Sequence, residues 1–150
     1  MSGALNHSPA DVLSRLLVLL GVGTDPDTEP LGNWPVYTDT EPALPDNLLR
    51  VRDTSARDDG RTQPDGERQE HHGFQLTIRS QTFPVGYTKA RAAAVALDGF
   101  YQDEVTIGVK TYLIHQVSRS SDVIALGQEK AQSRRYLFTV NGLATLRMLA

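Results

Sequence analysis

The chain has 150 residues, with 15 Lys and Arg against 18 Asp and Glu and a formal net charge of −3. That length fits one domain, so a single unit over residues 1–150 is expected. The acidic balance lacks the basic footprint of non-specific nucleic-acid binding. With no cysteine, a disulfide framework, a thiolate nucleophile and a Cys-ligated zinc are all excluded.

The N-terminal stretch has no basic region leading into a cleavable apolar segment, so no signal peptide is expected. The longest apolar run, Leu16 to Val22, is far shorter than a bilayer span. Ser8-Pro9 predicts a helix start, with serine as the cap and proline at the first helical position. Leu13, Leu16, Leu17 and Leu20 then fall on one stripe, and Gly21 and Gly23 end the helix. Trp34 to Thr38 reads as a short strand, which Pro35 confines to an edge or a strand start. Pro42 and Pro45 interrupt the chain, and Asn47 to Asp53 reads as the next strand.

Residues Arg52 to Gly73 contain no Val, Leu, Ile or Met. This stretch is expected as a long flexible loop inserted between strands, far longer than a hairpin requires. It has too little apolar surface to offset its ordering entropy alone, which points to ordering by a partner. From His72 to Ser80, Phe74, Leu76 and Ile78 alternate with Gln75, Thr77 and Arg79, a strand pattern.

A second helix is expected after Gly86, capped by Thr88, with Ala90, Ala94, Leu97 and Tyr101 on one face and Gly99 near its end. Val105 to Val117, Asp122 to Gly127 and Ser133 to Asn141 then read as three strands. In the first, Val105, Ile107, Val109 and Leu113 share a face. Gly142 to Ala150 fits either a strand extension or a helical tail. The expected fold is α+β: a mixed, largely antiparallel sheet with two main helices packed on it.

Several groupings contain catalytic or metal-binding letters. His71 and His72, with Glu67 and Glu70, are the best metal candidates, but neighbouring Pro64, Asp65 and Gly66 argue for a solvated loop rather than converging ligands. Asp53, Asp58 and Asp59 could form an acid–base pair only in environments that separate their pKa values. His115, Ser118, Ser120, Ser121 and Asp122 have the residue types of a hydrolase triad without a G-x-S-x-G elbow, and turn chemistry accounts for the serines. Gly21-Val22-Gly23 follows a helix rather than a strand and is not a dinucleotide fingerprint. Trp34, Tyr37, Tyr101 and Tyr112 are aromatic anchors suited to either an interface or a core. Arg134-Arg135 suits a surface strand end or an ion pair between subunits. No catalytic residue, metal or cofactor is assigned.

Taken in order, Trp34-Pro35-Val36-Tyr37, Pro45-Asp46-Asn47, Arg52-Asp53-Thr54, Gly60-Arg61, Gly73-Phe74-Gln75-Leu76, Gly86-Tyr87 leading through the Ala-rich helix to Leu97-Asp98, and Ser133 to Asn141 resemble the tail terminator (tail completion) proteins of long-tailed bacteriophages. The likeness spans nearly the whole chain and rests on the order and spacing of individually weak motifs. It implies a small α/β fold with a mixed sheet. It also implies a homohexameric ring at the head-proximal end of the tail tube, which stops tube polymerisation and joins the tail to the head.

The implied partners are further copies of the chain, the tail tube protein and a head-completion or connector protein. DNA would pass through the ring without sequence-specific contact. The implied location is the virion tail, and the host cytoplasm during assembly. Arg57, Asp58, Asp59, Arg61, Glu67 and Arg68 are the candidate tube or partner contacts. Trp34, Tyr37, Arg134 and Arg135 are the candidate subunit-interface residues. The alternatives are a head-side connector or stopper, an adaptor in another contractile or secretion-like machine, and a small metal-dependent hydrolase using His71 and His72.

Overall fold

The computed structural model describes residues 5–61, 68–98, 100–130 and 134–149. In chain order these form α1 (Pro9–Leu19), β1 (Val36–Thr38), β2 (Leu48–Arg61), β3 (Arg68–Ser80), α2 (Phe83–Asp98), β4 (Tyr101–Ile107), β5 (Lys110–Arg119), β6 (Ile124–Gln128) and β7 (Tyr136–Met148). The seven strands make one sheet in the order β1-β2-β3-β7-β5-β4, with β6 also paired to β7. β1 runs parallel to β2, and every other pairing is antiparallel. The fold is therefore α+β with a mixed, largely antiparallel sheet, as the sequence pattern predicts.

β7 is the spine of the sheet. One edge pairs with β3 from Ser80↔Tyr136 to His71↔Thr145. The other edge is shared, with β6 along Tyr136 to Thr139 and β5 along Gly142 to Met148. Phe138, Val140, Ala144 and Leu146 point from one face into the core. Gly142 takes the position between them. A Cβ there would stand 2.5 Å from the Ser118 carbonyl oxygen and 2.8 Å from Phe74 Cζ. Glycine thus lets β5 and Phe74 close over β7, and the segment beyond Asn141 continues as strand.

Both helices bury their apolar stripes against this core. The Ser8 hydroxyl accepts from the Asp11 amide at 3.2 Å, and Asp53 Oδ1 on β2 accepts from the Ala10 amide at 2.9 Å. Two side chains, one local and one from the sheet, thus satisfy the open end of α1. Leu13, Leu16 and Leu17 are buried as predicted, but Leu20 is the C-cap and 39% exposed. Gly21 follows with φ +76°, a left-handed turn at the helix end.

α2 starts at Phe83, before the expected Gly86 and Thr88 cap. Pro84 is compatible with a first helical turn. Gly86 lies inside the helix because a Cβ would meet Phe138 Cε2 at 2.5 Å. Ala90, Ala93, Ala94 and Leu97 form the buried stripe. Tyr101, expected on that face, begins β4 instead, while Gly99 lies outside the described residues.

The single strand expected over Val105 to Val117 is a hairpin. Gly108 at φ +61° makes the turn and leaves Val109 94% exposed, as a two-residue loop with glycine first allows. A bulge at His115 separates the pairs Ile114↔Leu146 and Gln116↔Thr145. It shifts the alternation by one residue, so Tyr112, Ile114 and Val117 all reach the core while Leu113 does not.

The expected loop from Arg52 to Gly73 is strand over its described residues. β2 runs on to Arg61 and β3 begins at Arg68, with Asp53↔Phe74, Ala56↔His72, Arg57↔His71, Asp58↔Glu70 and Arg61↔Arg68 opposed. Two register shifts absorb the mismatched lengths. An antiparallel ladder satisfies backbone donors and acceptors without needing apolar side chains, so polarity alone does not dictate a loop. Residues 62–67 lie outside the described residues.

Replacing Gly142 with alanine should cost about 1–3 kcal/mol, the range for overpacking a filled core site. Urea unfolding of Gly142→Ala, read as a shift in midpoint at unchanged slope, measures it.

Candidate assembly interface

Beyond His71↔Thr145, β3 leaves β7, and β1 accompanies β2 only as far as Thr38↔Val51. The far parts of β2 and β3 therefore pair only with each other, as a two-stranded ribbon that has parted from β7, which itself runs on to Met148 beside β5. The backbone places Arg57, Asp58, Asp59 and Arg61 on the β2 side of the ribbon and Arg68 on the β3 side. Glu67 lies outside the described residues.

The face of the sheet away from the helices is organised by arginine. Arg79, on β3, has a side chain only 2% exposed. Its guanidinium donates to the carbonyl oxygens of Pro42 (2.8 Å), Ala43 (3.3 Å), Pro45 (2.6 Å) and Asp46 (3.3 Å), and to Glu41 Oε1 (3.3 Å). Arg50 pairs with Glu41 Oε2 at 3.2 Å. Arg135 donates to the Ala43 carbonyl oxygen at 2.6 Å and pairs with Glu129 at 3.0 Å and Asp46 at 3.4 Å. These contacts fasten the strap of residues 41–46 across the sheet. Burial, and then the positive charge of Arg135, lower the Arg79 pKa from its usual value, and Glu41 partly offsets them. Sequence reasoning placed Arg79 on an outward strand face but had no signal that a proline-rich segment folds back over it.

The four candidate interface residues have different settings. Trp34 is half-buried at φ +56°, with Lys89 Nζ 5.5 Å from its ring centroid, a cation–π geometry. Tyr37, on β1, lines an open groove of about 550 Å³ between α1, residues 25–27 and the β4–β5 turn. Arg134 is exposed. Arg135 is engaged within its own chain, as described above. Among the other aromatic anchors, Tyr112 is fully buried and its hydroxyl lies 2.6 Å from His7 Nδ1.

His71, His72, Asp53 and Asp122 each have a separate structural setting. His71 and His72 are successive strand residues, so their side chains leave opposite faces. His71 Nδ1 lies 2.6 Å from Thr145 Oγ1, and His72 is buried. Among the described residues no three His, Cys, Asp or Glu side chains come together as a metal site. Asp53 is engaged as a cap of α1. Asp122 belongs to an ion-pair chain on the surface: Arg91 at 2.7 Å and Arg119 at 3.2 Å, with Arg119 also bound to Asp98 at 2.7 Å. The Val123 amide and then Arg91 hold the Asp122 carboxyl below its usual pKa.

Two exposed apolar features remain. α2 turns Tyr87, Ala92, Val95 and Ala96 outward along a shallow groove. β6 is exposed throughout, pairs only with β7 among the described strands, and carries no charge over Ile124-Ala125-Leu126-Gly127-Gln128. Natural edges are usually blunted by charge, proline or cover. Among the described residues no helix is long and apolar enough to cross a membrane.

No family model matches this chain, and no curated protein matches it. Among solved structures, the chain is similar to one in a virion of a native gene transfer agent (GTA) particle. The identity is 12% and the TM-score 0.48, over 75% of this chain and 78% of that one.

Arg79→Met should destabilise the fold by about 3 kcal/mol, because Glu41 and four carbonyls lose a buried charged donor. Limited proteolysis should then cut within residues 41–46, which the wild type protects. Asp122 gives a smaller, signed effect. Its folded pKa is depressed, so its stabilisation is present above the unfolded value of about 4 and is lost as pH falls. Asp122→Asn should be less stable than wild type at pH 7 and equal to it at pH 2 in thermal melts.

Proposed function

We propose that this chain is a non-enzymatic structural subunit of a phage-type tail and, within that class, a tail terminator. Copies form a ring, expected to be a hexamer, that docks on the last ring of the tail tube. The ring covers the growing end of the tube and offers a different surface to the head-completion complex. The sequence resemblance motivates this reading, and the observation that supports it is the β2–β3 ribbon that parts from the rest of the sheet.

A ribbon suits docking. Its backbone is already paired, so less conformational entropy remains to be lost on binding than for a free loop of the same length. Its sequence mixes both signs, with Arg57, Arg61 and Arg68 among Asp58, Asp59 and Glu70. Mixed charge favours steered, reversible docking in a fixed register. Each ribbon need contribute little, since copies held in one ring engage the tube together.

Electron microscopy of tail tubes polymerised with and without the purified protein tests the function. Capped tubes of limited length are expected, and unrestricted growth in its presence overturns the reading. Arg57→Glu combined with Arg61→Glu should raise the concentration needed for capping by about tenfold or more, as for loss of close charge pairs across an interface. Recovery of the protein on DNA-filled, tailless heads would instead identify a head-side connector.

A further inference from the structure

β6 is the edge that the sheet leaves open. β5 and β6 lie end to end along the same side of β7, β5 against Gly142 to Met148 and β6 against Tyr136 to Thr139. β4 fills the next row beside β5 as far as Tyr101↔Gln116. Among the described strands, nothing fills that row beside β6. Backbone donors and acceptors on this side of β6 are met in register only by another extended backbone. Ile124 and Leu126 on the same strand are 42% and 56% exposed.

The other edges are protected in ordinary ways. β4 carries Asp103 and Glu104, both exposed, and Gln102 at φ +46°. β1 has three residues, and the Thr24 carbonyl oxygen beside it accepts from the Val36 amide at 2.9 Å. The part of β2 beyond Val51 carries Arg57, Asp58, Asp59 and Arg61. β6 has neither charge nor proline. Its one irregularity is the bulge between Ala125 and Gly127, with Gly127 at φ +89°. The bulge bends the strand at its Gly127 end, which leaves Ile124, Ala125 and Leu126 as the part able to pair.

The edges of this chain also differ in what they match. Charged edges would set Asp, Glu or Arg against the aliphatic side chains of β6, whereas a second β6 meets them with its own. We propose that β6 pairs antiparallel with β6 of a second copy about a two-fold axis at Ala125, so that one sheet runs through both subunits. Ile124 of each copy then stands opposite Leu126 of the other, and Ala125 opposite Ala125. Two aliphatic pairs leave water, and no like charges face each other across the strands. The contact is isologous and does not close a ring, so it goes beyond the tail reading and stands apart from it. Three residues from each copy make a small contact, and the dimer is accordingly weak and concentration-dependent.

The chain has no cysteine, so introduced thiols report single contacts. Ala125→Cys lies on the axis and should give a disulfide-linked dimer on mild oxidation, well ahead of Val109→Cys, a control on the exposed β4–β5 turn. Ile124→Cys and Leu126→Cys should cross-link faster when mixed than either does alone, because diagonal neighbours at about 7–8 Å lie beyond disulfide reach. Sedimentation velocity over a concentration series should show a monomer–dimer equilibrium for wild type. Ala125→Lys and Ala125→Glu each set like charges across the axis and should dimerise at least about tenfold more weakly. An equimolar mixture of the two should recover a heterodimer, which also shows that both variants are folded. A wild type with no dimer at any concentration overturns the contact. So does Ala125→Cys that cross-links no faster than Val109→Cys, or a mixture that fails to recover. Failure here leaves tube capping untouched, and tubes that grow uncapped leave this dimer standing.

Discussion

One buried guanidinium decides how the second face of the sheet is covered. Both helices pack on one side, where α1 and α2 bury leucine and alanine stripes against Phe74, Leu76, Ile78 and Phe138. The other side has no helix. Its cover over β2 and β3 is the strap of residues 41–46, whose Leu44 is turned to solvent and which is held by backbone carbonyls converging on Arg79. A charged donor is worth more per hydrogen bond than a neutral one, and it is costly to bury without partners. Satisfying Arg79 therefore brings the strap down, and the same strap meets Arg50 and Arg135. Arg135 sits at the foot of β7, so the arrangement also fixes where the β6–β7 connection leaves the sheet.

That constraint sorts the surface. The strap and the helices occupy the middle of the molecule, and the features left for neighbours lie at its extremities. These are the paired β2–β3 ribbon, the acidic groove beside α1, the exposed Lys130 and Arg134, and the uncharged β6 edge with the apolar groove on α2. A subunit with a rigid middle and chemically distinct ends can make different contacts in different directions. Here Asp53 caps a helix, Asp122 serves an ion-pair chain, and His71 and His72 leave opposite faces of a strand.

The sequence was most informative where one physical rule acted alone. Ser8-Pro9 and the Leu13, Leu16, Leu17 stripe fixed α1, and the alternation of Phe74, Leu76 and Ile78 fixed the buried part of β3. It misled where tertiary packing overrode a local rule. Gly86 reads as a helix boundary but is a contact with Phe138. Val105 to Val117 reads as one strand because Val105, Ile107 and Val109 alternate straight across the turn at Gly108. The polar run from Arg52 reads as a loop because side-chain composition says nothing about a backbone ladder. The Arg79 anchorage was invisible, since its partners are main-chain oxygens and any residue type supplies those. Arg135, expected as an ion-pair donor between subunits, forms its ion pairs here with Asp46 and Glu129 of its own chain.

The distribution of charge then bears on why a protein with a net charge of only −3 would need specific contacts rather than bulk attraction. At physiological salt, charges separated by more than about 8 Å are largely screened, so a weak overall field neither gathers copies nor keeps them apart. Recognition must come from groups brought within contact range. Neutralising Arg135 with Glu129, and Arg119 with Asp98, removes cations that could pair promiscuously. Lys130 and Arg134, exposed near the foot of β7, are among the described cations that form no ion pair. A contact built on them is weak taken singly and strongly dependent on geometry. Such a contact permits partners to dissociate from wrong placements and persist only where several are satisfied at once, the condition that the proposed ring would provide.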